Sequence, residues 1–150
     1  MNDPARTLLG IDYGTRRIGL ACGDRDRRLA FAVGTHEEGR DGSILVRLRG
    51  LIDERGIDTI VVGLPRRADG AEGEIADRAR RFAQRLEAEF QLPCILWDER
   101  YSSQEADRWL APGRSRDKGQ RDALAAEIIL QSYLDSLASD DPADPPKESP

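Results

Sequence analysis

"LLGIDYGTRRIGLACGD", residues 8–24, joins two apolar runs through a polar turn. Leu8, Leu9 and Ile11 read as a buried strand, and Asp12 follows at once. Gly14 then breaks the chain, and a second run, 18–22, returns through Gly19. A carboxylate at the end of so apolar a strand admits two readings. Asp and Gly favour turns, through local hydrogen bonding and positive φ. Alternatively, Asp12 is a metal ligand carried on a strand tip. The stretch on its own leaves both open.

Working outward, a third short run at 28–34 follows the turn "DRDR", and the three runs 7–12, 17–23 and 28–34 read as an antiparallel meander. In "SILVRLRGLIDERG", Ile44, Leu45, Leu48, Leu51 and Ile52 lie at helical spacing, with Gly56 as the stop. "TIVVGLP" is apolar throughout and bounded by Gly and Pro, as a central parallel strand would be. Ile75, Ala79, Phe82, Leu86 and Phe90 mark an amphipathic helix, and "PCILW" is the next buried strand. Ser102 and Glu105 have capping-box spacing for a short helix to Leu110. The charged loop "APGRSRDKGQ" leads to a last helix over about 121–137. The order β-β-β-α-β-α-β-α-α predicts one mixed five-stranded α/β sheet with helices on both faces. Right-handed crossovers place the 58–64 strand beside the first and the 93–97 strand beyond it. Asp12 then sits at the carboxyl end of a strand, where such sheets carry their sites.

A chain of 150 residues is one domain's worth, and with 5% aromatic residues its core must be aliphatic. No run approaches a membrane span or a signal peptide. Cys22 and Cys94 lie in apolar runs without CxxC spacing and read as reduced core residues of a cytoplasmic protein. The net charge of −5 is concentrated in the tail "DDPADPPKESP", which has almost nothing to bury and reads as disordered beyond a folded domain of 1–138. Without those eleven residues, 24 acids face 22 bases, a net of −2, and 21 of the 22 bases are Arg, whose forked donors suit phosphate.

Three carboxylates from separate elements can meet. Asp98 and Glu99 follow "CILW" at the end of a second parallel strand. Asp122 shares a helix face with Ala125, Ala126, Ile129 and Tyr133. An acid on a buried stripe is costly unless it is paired or binds a cation, although an Asp in a first turn also suits the helix dipole. Converging carboxylates suit Mg²⁺ or Mn²⁺ rather than zinc. Two such ions can activate water and stabilise the leaving oxygen of a phosphodiester.

The motifs "LLGIDYGTRRIGLA", "VVGLP", "DG.EG", "DERYSS..A" and "RDALAAEIILQSYLD", in this order and spacing over residues 6–137, together resemble the YqgF family, also called RuvX, of the RNase H-like superfamily. The resemblance implies an RNase H-like fold and a metal-dependent endonuclease that matures the 5′ end of 16S ribosomal RNA. Action on Holliday junctions is its alternative. It implies RNA or branched DNA as partner, with ribosomal particles, and leaves the oligomeric state open. By motif, Asp12, Glu99 and Asp122 are the catalytic and metal-binding acids. Asp98 is the rival to Glu99, because strand pleating lets only one of two neighbours face a given side.

Arg17 matches the family's basic residue in "RIG" and reads either as a phosphate contact or as a surface partner of Asp24 or Asp26. Arg66 and Arg67 after Pro65, and Arg100 beside Glu99, are further candidate phosphate contacts. Arg114, Arg116 and Lys118 alternate along the loop before Asp122, which reads as a mobile segment that closes over a nucleic-acid backbone. Arg78, Arg81 and Arg85 line the polar face of their helix, as a solvated stripe would. The single histidine, His36, is assigned no catalysis. "IDYGT" also resembles the phosphate-binding hairpin of actin-like ATPases, but those need a second lobe and hairpin. A non-catalytic nucleic-acid or ribosome-associated module is the remaining alternative class.

Overall fold

A computed structural model of the chain describes residues 6–65, 73–99 and 118–138. Five strands form one sheet: β1 (Thr7–Asp12), β2 (Arg17–Asp24), β3 (Leu29–Glu37), β4 (Thr59–Leu64) and β5 (Cys94–Asp98). Among the described residues three helices cover it: α1 (Ile44–Arg55), α2 (Glu74–Phe90) and α3 (Lys118–Ala138). The strand order is β3-β2-β1-β4-β5. β1 and β2 run antiparallel, as do β2 and β3, whereas β4 runs parallel to both β1 and β5. This is the mixed sheet expected from the element order. The short helix expected at 102–110, the loop 111–117 and the acidic tail lie outside the described residues.

Alternating pleats send the sheet's side chains to two cores. Leu9, Ile11, Ile18, Leu20, Ile60 and Val62 pack against Ile44 and Leu48 of α1 and Phe82, Ala83 and Leu86 of α2. Leu8, Ala21, Ala30 and Val61 face the other way, against Ala126, Ile129, Leu130 and Leu134 of α3. Both cores are almost wholly aliphatic, as the low aromatic content requires. The stop expected at Gly56 is present: its left-handed φ of 66° lets its N–H donate to the Ile52 carbonyl and end α1.

The α3 face of the sheet carries glycines where the helix comes closest. A Cβ on Gly10 would lie 2.7 Å from the Leu130 Cβ and 3.2 Å from the Ala126 carbonyl. One on Gly19 would collide with the Asp122 carbonyl, and one on Gly63 would lie 2.6 Å from Ile129 Cδ1. Glycine within a strand often marks such a close approach. Here it brings the backbone of α3 down onto β1 and β2.

Two boundaries differ from the sequence reading by three residues, the others by at most one. β3 continues to Glu37 instead of ending at 34, so His36 is a strand residue opposite Ile18 and fully buried. Its polar sequence hides this extension, which is sustained by pairing: the register shifts between Leu20 and Ala21, leaving Val33 unmatched, and then runs on until Arg17 faces Glu37. The edge of β3 is also covered, because its Ala30 and Ala32 N–H groups donate to Gln131 Oε1 and Glu127 Oε1 of α3. α3 itself begins at Lys118, three residues before the expected start at 121.

Replacing Gly10 by Ala sets a methyl group against a Cβ and a carbonyl that cannot swing aside. At Gly23 the nearest atoms are the flexible ends of Leu130 and Leu134, at 2.9 and 3.1 Å. Gly10→Ala is therefore expected to cost about 1–3 kcal/mol, more than Gly23→Ala, in urea-unfolding midpoints. Equal midpoints for both variants and wild type would contradict this packing.

Candidate active site

Leu8 and Asp12 have the same strand parity, and Leu8 packs in the α3-side core, so Asp12 at the carboxyl end of β1 faces α3. In the β1–β2 ladder Asp12 lies opposite Gly19, and the Asp122 carbonyl rests on Gly19. The glycine that admits α3 thus also brings Asp122 beside Asp12. Gly14 closes the intervening turn, since a Cβ there would strike the Arg17 carbonyl.

Strand parity and a contact at Gly63 separate Asp98, which ends β5, from Glu99, which follows it. Trp97 packs on the α3 side, meets Tyr133 edge-on at 5.2 Å and donates from Nε1 to Ser132 Oγ at 3.1 Å. Its neighbour Asp98 pairs with Leu64, which packs against Ala76 and Ala79 of α2 on the opposite face. Glu99 returns to the Trp97 side, and its Cγ lies 3.3 Å from where a Gly63 Cβ would be. The missing side chain on β4 gives Glu99 room to reach across that strand towards Asp12.

Electrostatics ties the three acids together. Burial first, then Glu99 and then Asp122, push the Asp12 carboxyl up from 3.8 to about 8. The Glu99 carboxyl is also pushed up, by burial and then by Asp98. Asp12 is therefore the acid that holds a proton, and once neutral it no longer repels Glu99. Asp122 is half-buried, and its Oδ2 accepts from Arg17 Nε at 2.9 Å. Arg17 thus bridges to Asp122, whereas Asp24 has Arg27 at 3.7 Å. Arg17's remaining guanidinium donors belong to the same end of the sheet.

Among the described residues, no three His, Cys, Asp or Glu side chains lie close enough together to hold a metal ion as they stand. Glu99 and Asp122 are near enough to Asp12 to raise its carboxyl, and one Asp122 oxygen is held by Arg17. His36 lies on the α1/α2 side with Ile18, where its Nε2 donates to the Gly42 carbonyl and to Glu38, each at 3.0 Å. Cys22 and Cys94 are free thiols, and burial pushes Cys94 up to about 11. The donors around Asp12 are consequently all oxygens, a set suited to Mg²⁺ or Mn²⁺. Arg66, Arg67, Arg100, Arg114 and Arg116 lie outside the described residues. Lys118 opens α3, with only its backbone described.

Gly19 and Gly63 are the site residues that motif reading passed over. Their signal was available: each interrupts an otherwise apolar strand, which points to a close neighbour.

Known proteins share this architecture. The fold matches that of Thermus thermophilus RuvC in complex with a Holliday junction substrate, with a TM-score of 0.57 at 14% identity, covering 87% of this chain and 96% of that one. It also matches the yeast mitochondrial Holliday junction resolvase, with a TM-score of 0.57 at 11% identity over 90% of this chain and 80% of that one. The mixed sheet with its helices therefore has the RNase H-like fold of these resolvases. The sequence profile of RuvX, described as Holliday junction resolvase, matches residues 6–136. A relative from Geobacillus sp. (strain WCH70), named "Putative pre-16S rRNA nuclease", is 46% identical over 136 residues, covering 86% of this chain and 97% of that one. A relative of the same name from Paraburkholderia phymatum is 42% identical, covering 92% and 91%. The chain belongs to the RuvX family.

The folded state keeps a proton on Asp12 that the unfolded chain releases near 3.8. Between that value and about 8, unfolding releases a proton. The contribution of Asp12 to stability is therefore full below the lower value and is lost as pH rises to the upper one. In metal-free buffer the melting temperature of wild type is expected to fall from pH 5 to pH 8, and Asp12→Asn to flatten that fall while melting no lower at pH 8. A large loss of stability in Asp12→Asn at pH 8 would mark Asp12 as a structural turn residue.

Proposed function

We propose that this protein is a metal-dependent endonuclease that hydrolyses phosphodiester bonds in the 5′-end maturation of pre-16S ribosomal RNA. The observation that carries the reading is the carboxylate set at Asp12, a half-buried acid pushed up to about 8 by desolvation and by two further carboxylates. Such a set is poorly placed to stay ionised alone and well placed to accept a cation. Asp12, Glu99 and Asp122 are the proposed ligands, and Asp98, on the other face, is not. Bound Mg²⁺ or Mn²⁺ would lower the pKa of water and offset charge on the phosphate. Arg17 orients Asp122 and offers its other donors to a phosphate oxygen. No histidine reaches the site to act as a base, since His36 faces the opposite core.

The RNA substrate is favoured over a four-way DNA junction because the full-length relatives at 46% and 42% identity carry that name. The likeness to the resolvases, at 14% and 11% identity, concerns the fold. Phosphate contacts serve free RNA and RNA within a ribosomal particle alike, as they carry no base information. Arg66, Arg67, Arg100, Arg114, Arg116 and Lys118 are proposed as further phosphate contacts from the segments that flank the site.

A 16S precursor fragment and a four-way DNA junction, assayed side by side with Mg²⁺ or Mn²⁺, test the reading. Cleavage of the RNA near its mature 5′ end is expected, with no cleavage in excess EDTA and at least about a hundredfold loss in Asp12→Asn. Full activity in EDTA would refute the metal, and selective cleavage of the junction would refute the RNA.

A further inference from the structure

Consecutive residues of a strand point to opposite faces. Asp12 turns its carboxyl towards α3, so Tyr13 turns its ring towards α2, where it packs on Phe82 with centroids 4.8 Å apart. Tyr13, Phe82, Arg78, Arg81 and Arg85 line a cleft of about 220 Å³. A second cleft, of about 240 Å³, shares Arg78 and extends to Thr15 at the β1–β2 turn. The clefts meet at Arg78 on the α2 side of the sheet, with Glu74 also lining the second; Tyr13, next in the chain to Asp12, lines the first and Thr15 the other.

The three arginines occupy one helix flank over seven residues, about 10 Å of rise. Arg78 pairs with Glu74 at 2.9 Å one turn earlier. Arg81 and Arg85 are exposed and have no carboxylate partner among the described residues. A solvated helix face needs no aromatic floor and no continuity with a site. This one has both, and cations beside an aromatic face are the combination that binds single-stranded nucleic acid.

We propose that the cleft between Tyr13 and the Arg78–Arg81–Arg85 flank of α2 binds a single-stranded segment of the substrate, adjoining the bond to be cut. Resting on the nuclease reading, it places that strand across the end of β1: its phosphate meets Asp12 on one face, and the next nucleotides pass over the rim. Arg81 and Arg85 contact their phosphates, and a base lies against the Tyr13 ring. The substrate is then unpaired on one side of the cleavage point.

Binding of a fluorescently labelled 15-nucleotide RNA and of its duplex is measured by anisotropy in EDTA over a range of salt. Wild type, Arg81→Ala/Arg85→Ala and Tyr13→Leu are compared as full chains. The double variant is expected to lose at least about tenfold in affinity for the single strand at 0.1 M salt, and its salt slope to fall by about 1.4, for two lost contacts. Its melting temperature should stay at the wild-type value. Tyr13→Leu should weaken binding without changing the slope, because stacking releases no counterions. Duplex affinity should change less than twofold in the double variant. The proposal is overturned if wild type does not bind the single strand, if the double variant keeps its affinity and slope, or if the duplex is weakened equally. Cleavage assayed in parallel separates the two claims. A wild type that cuts RNA while the double variant binds normally sinks the cleft alone. One that binds through Arg81 and Arg85 but never cuts sinks the nuclease reading alone.

Discussion

The close seating of α3 on glycine is the constraint on which both the fold and the site depend. Without side chains at Gly10, Gly19 and Gly63, the helix meets the sheet through Leu130 and Ile129 and through its own carbonyls. That contact closes the second aliphatic core. It also sets the height of Asp122 above β2, because the Asp122 carbonyl and Gly19 meet where Gly19 pairs with Asp12. Packing and site geometry are therefore one set of contacts. A larger residue on that face would lift the helix and move a carboxylate with it.

Grouping acids around a half-buried carboxyl works against the stability of the metal-free protein. Burial alone disfavours the charged form of Asp12, and Glu99 and Asp122 add to it. Arg17 relieves part of this by holding Asp122 at the rim. The arrangement becomes intelligible as a place prepared for positive charge, since a divalent cation would offset the desolvation cost and turn the mutual repulsion of the carboxylates into shared attraction. Local cost at a strand end, carried by two well-packed aliphatic cores, is the pattern expected of a working site.

Much of this was legible in the residues. The apolar runs, the Gly56 stop and the crossover rule led to the order β3-β2-β1-β4-β5, and Asp12 was placed at a strand end from "GIDYG". The far half of β3 was not legible, because Gly34, Thr35 and His36 resemble a loop until Ile18 and Gly19 pair with them. Helical spacing set Asp122 on the apolar face, but not its ion pair with Arg17, which spans 105 residues of sequence. Nor could spacing alone say which of Asp98 and Glu99 shares a face with Asp12. That follows from the pairing of Leu64 with Asp98 and of Gly63 with Trp97, a register that only the folded sheet contains. The arginines of α2 had the pattern of a solvated stripe, and only the placement of Tyr13 beside them makes a cleft.

The proposed cation site consists of the acids on the α3 face and not of their neighbour on the other face. Calorimetric titration with Mn²⁺ at pH 7 tests it most directly, using wild type, Asp12→Asn, Glu99→Gln, Asp122→Asn and Asp98→Asn. Wild type is expected to bind with release of a proton, seen as a heat that varies with the buffer, because Asp12 gives up the proton it holds below about 8. Binding is expected to be at least about tenfold weaker in the Asp12, Glu99 and Asp122 variants, on the scale of a lost ligand, and retained in Asp98→Asn. Loss of binding in Asp98→Asn with wild-type affinity in Glu99→Gln would contradict this assignment.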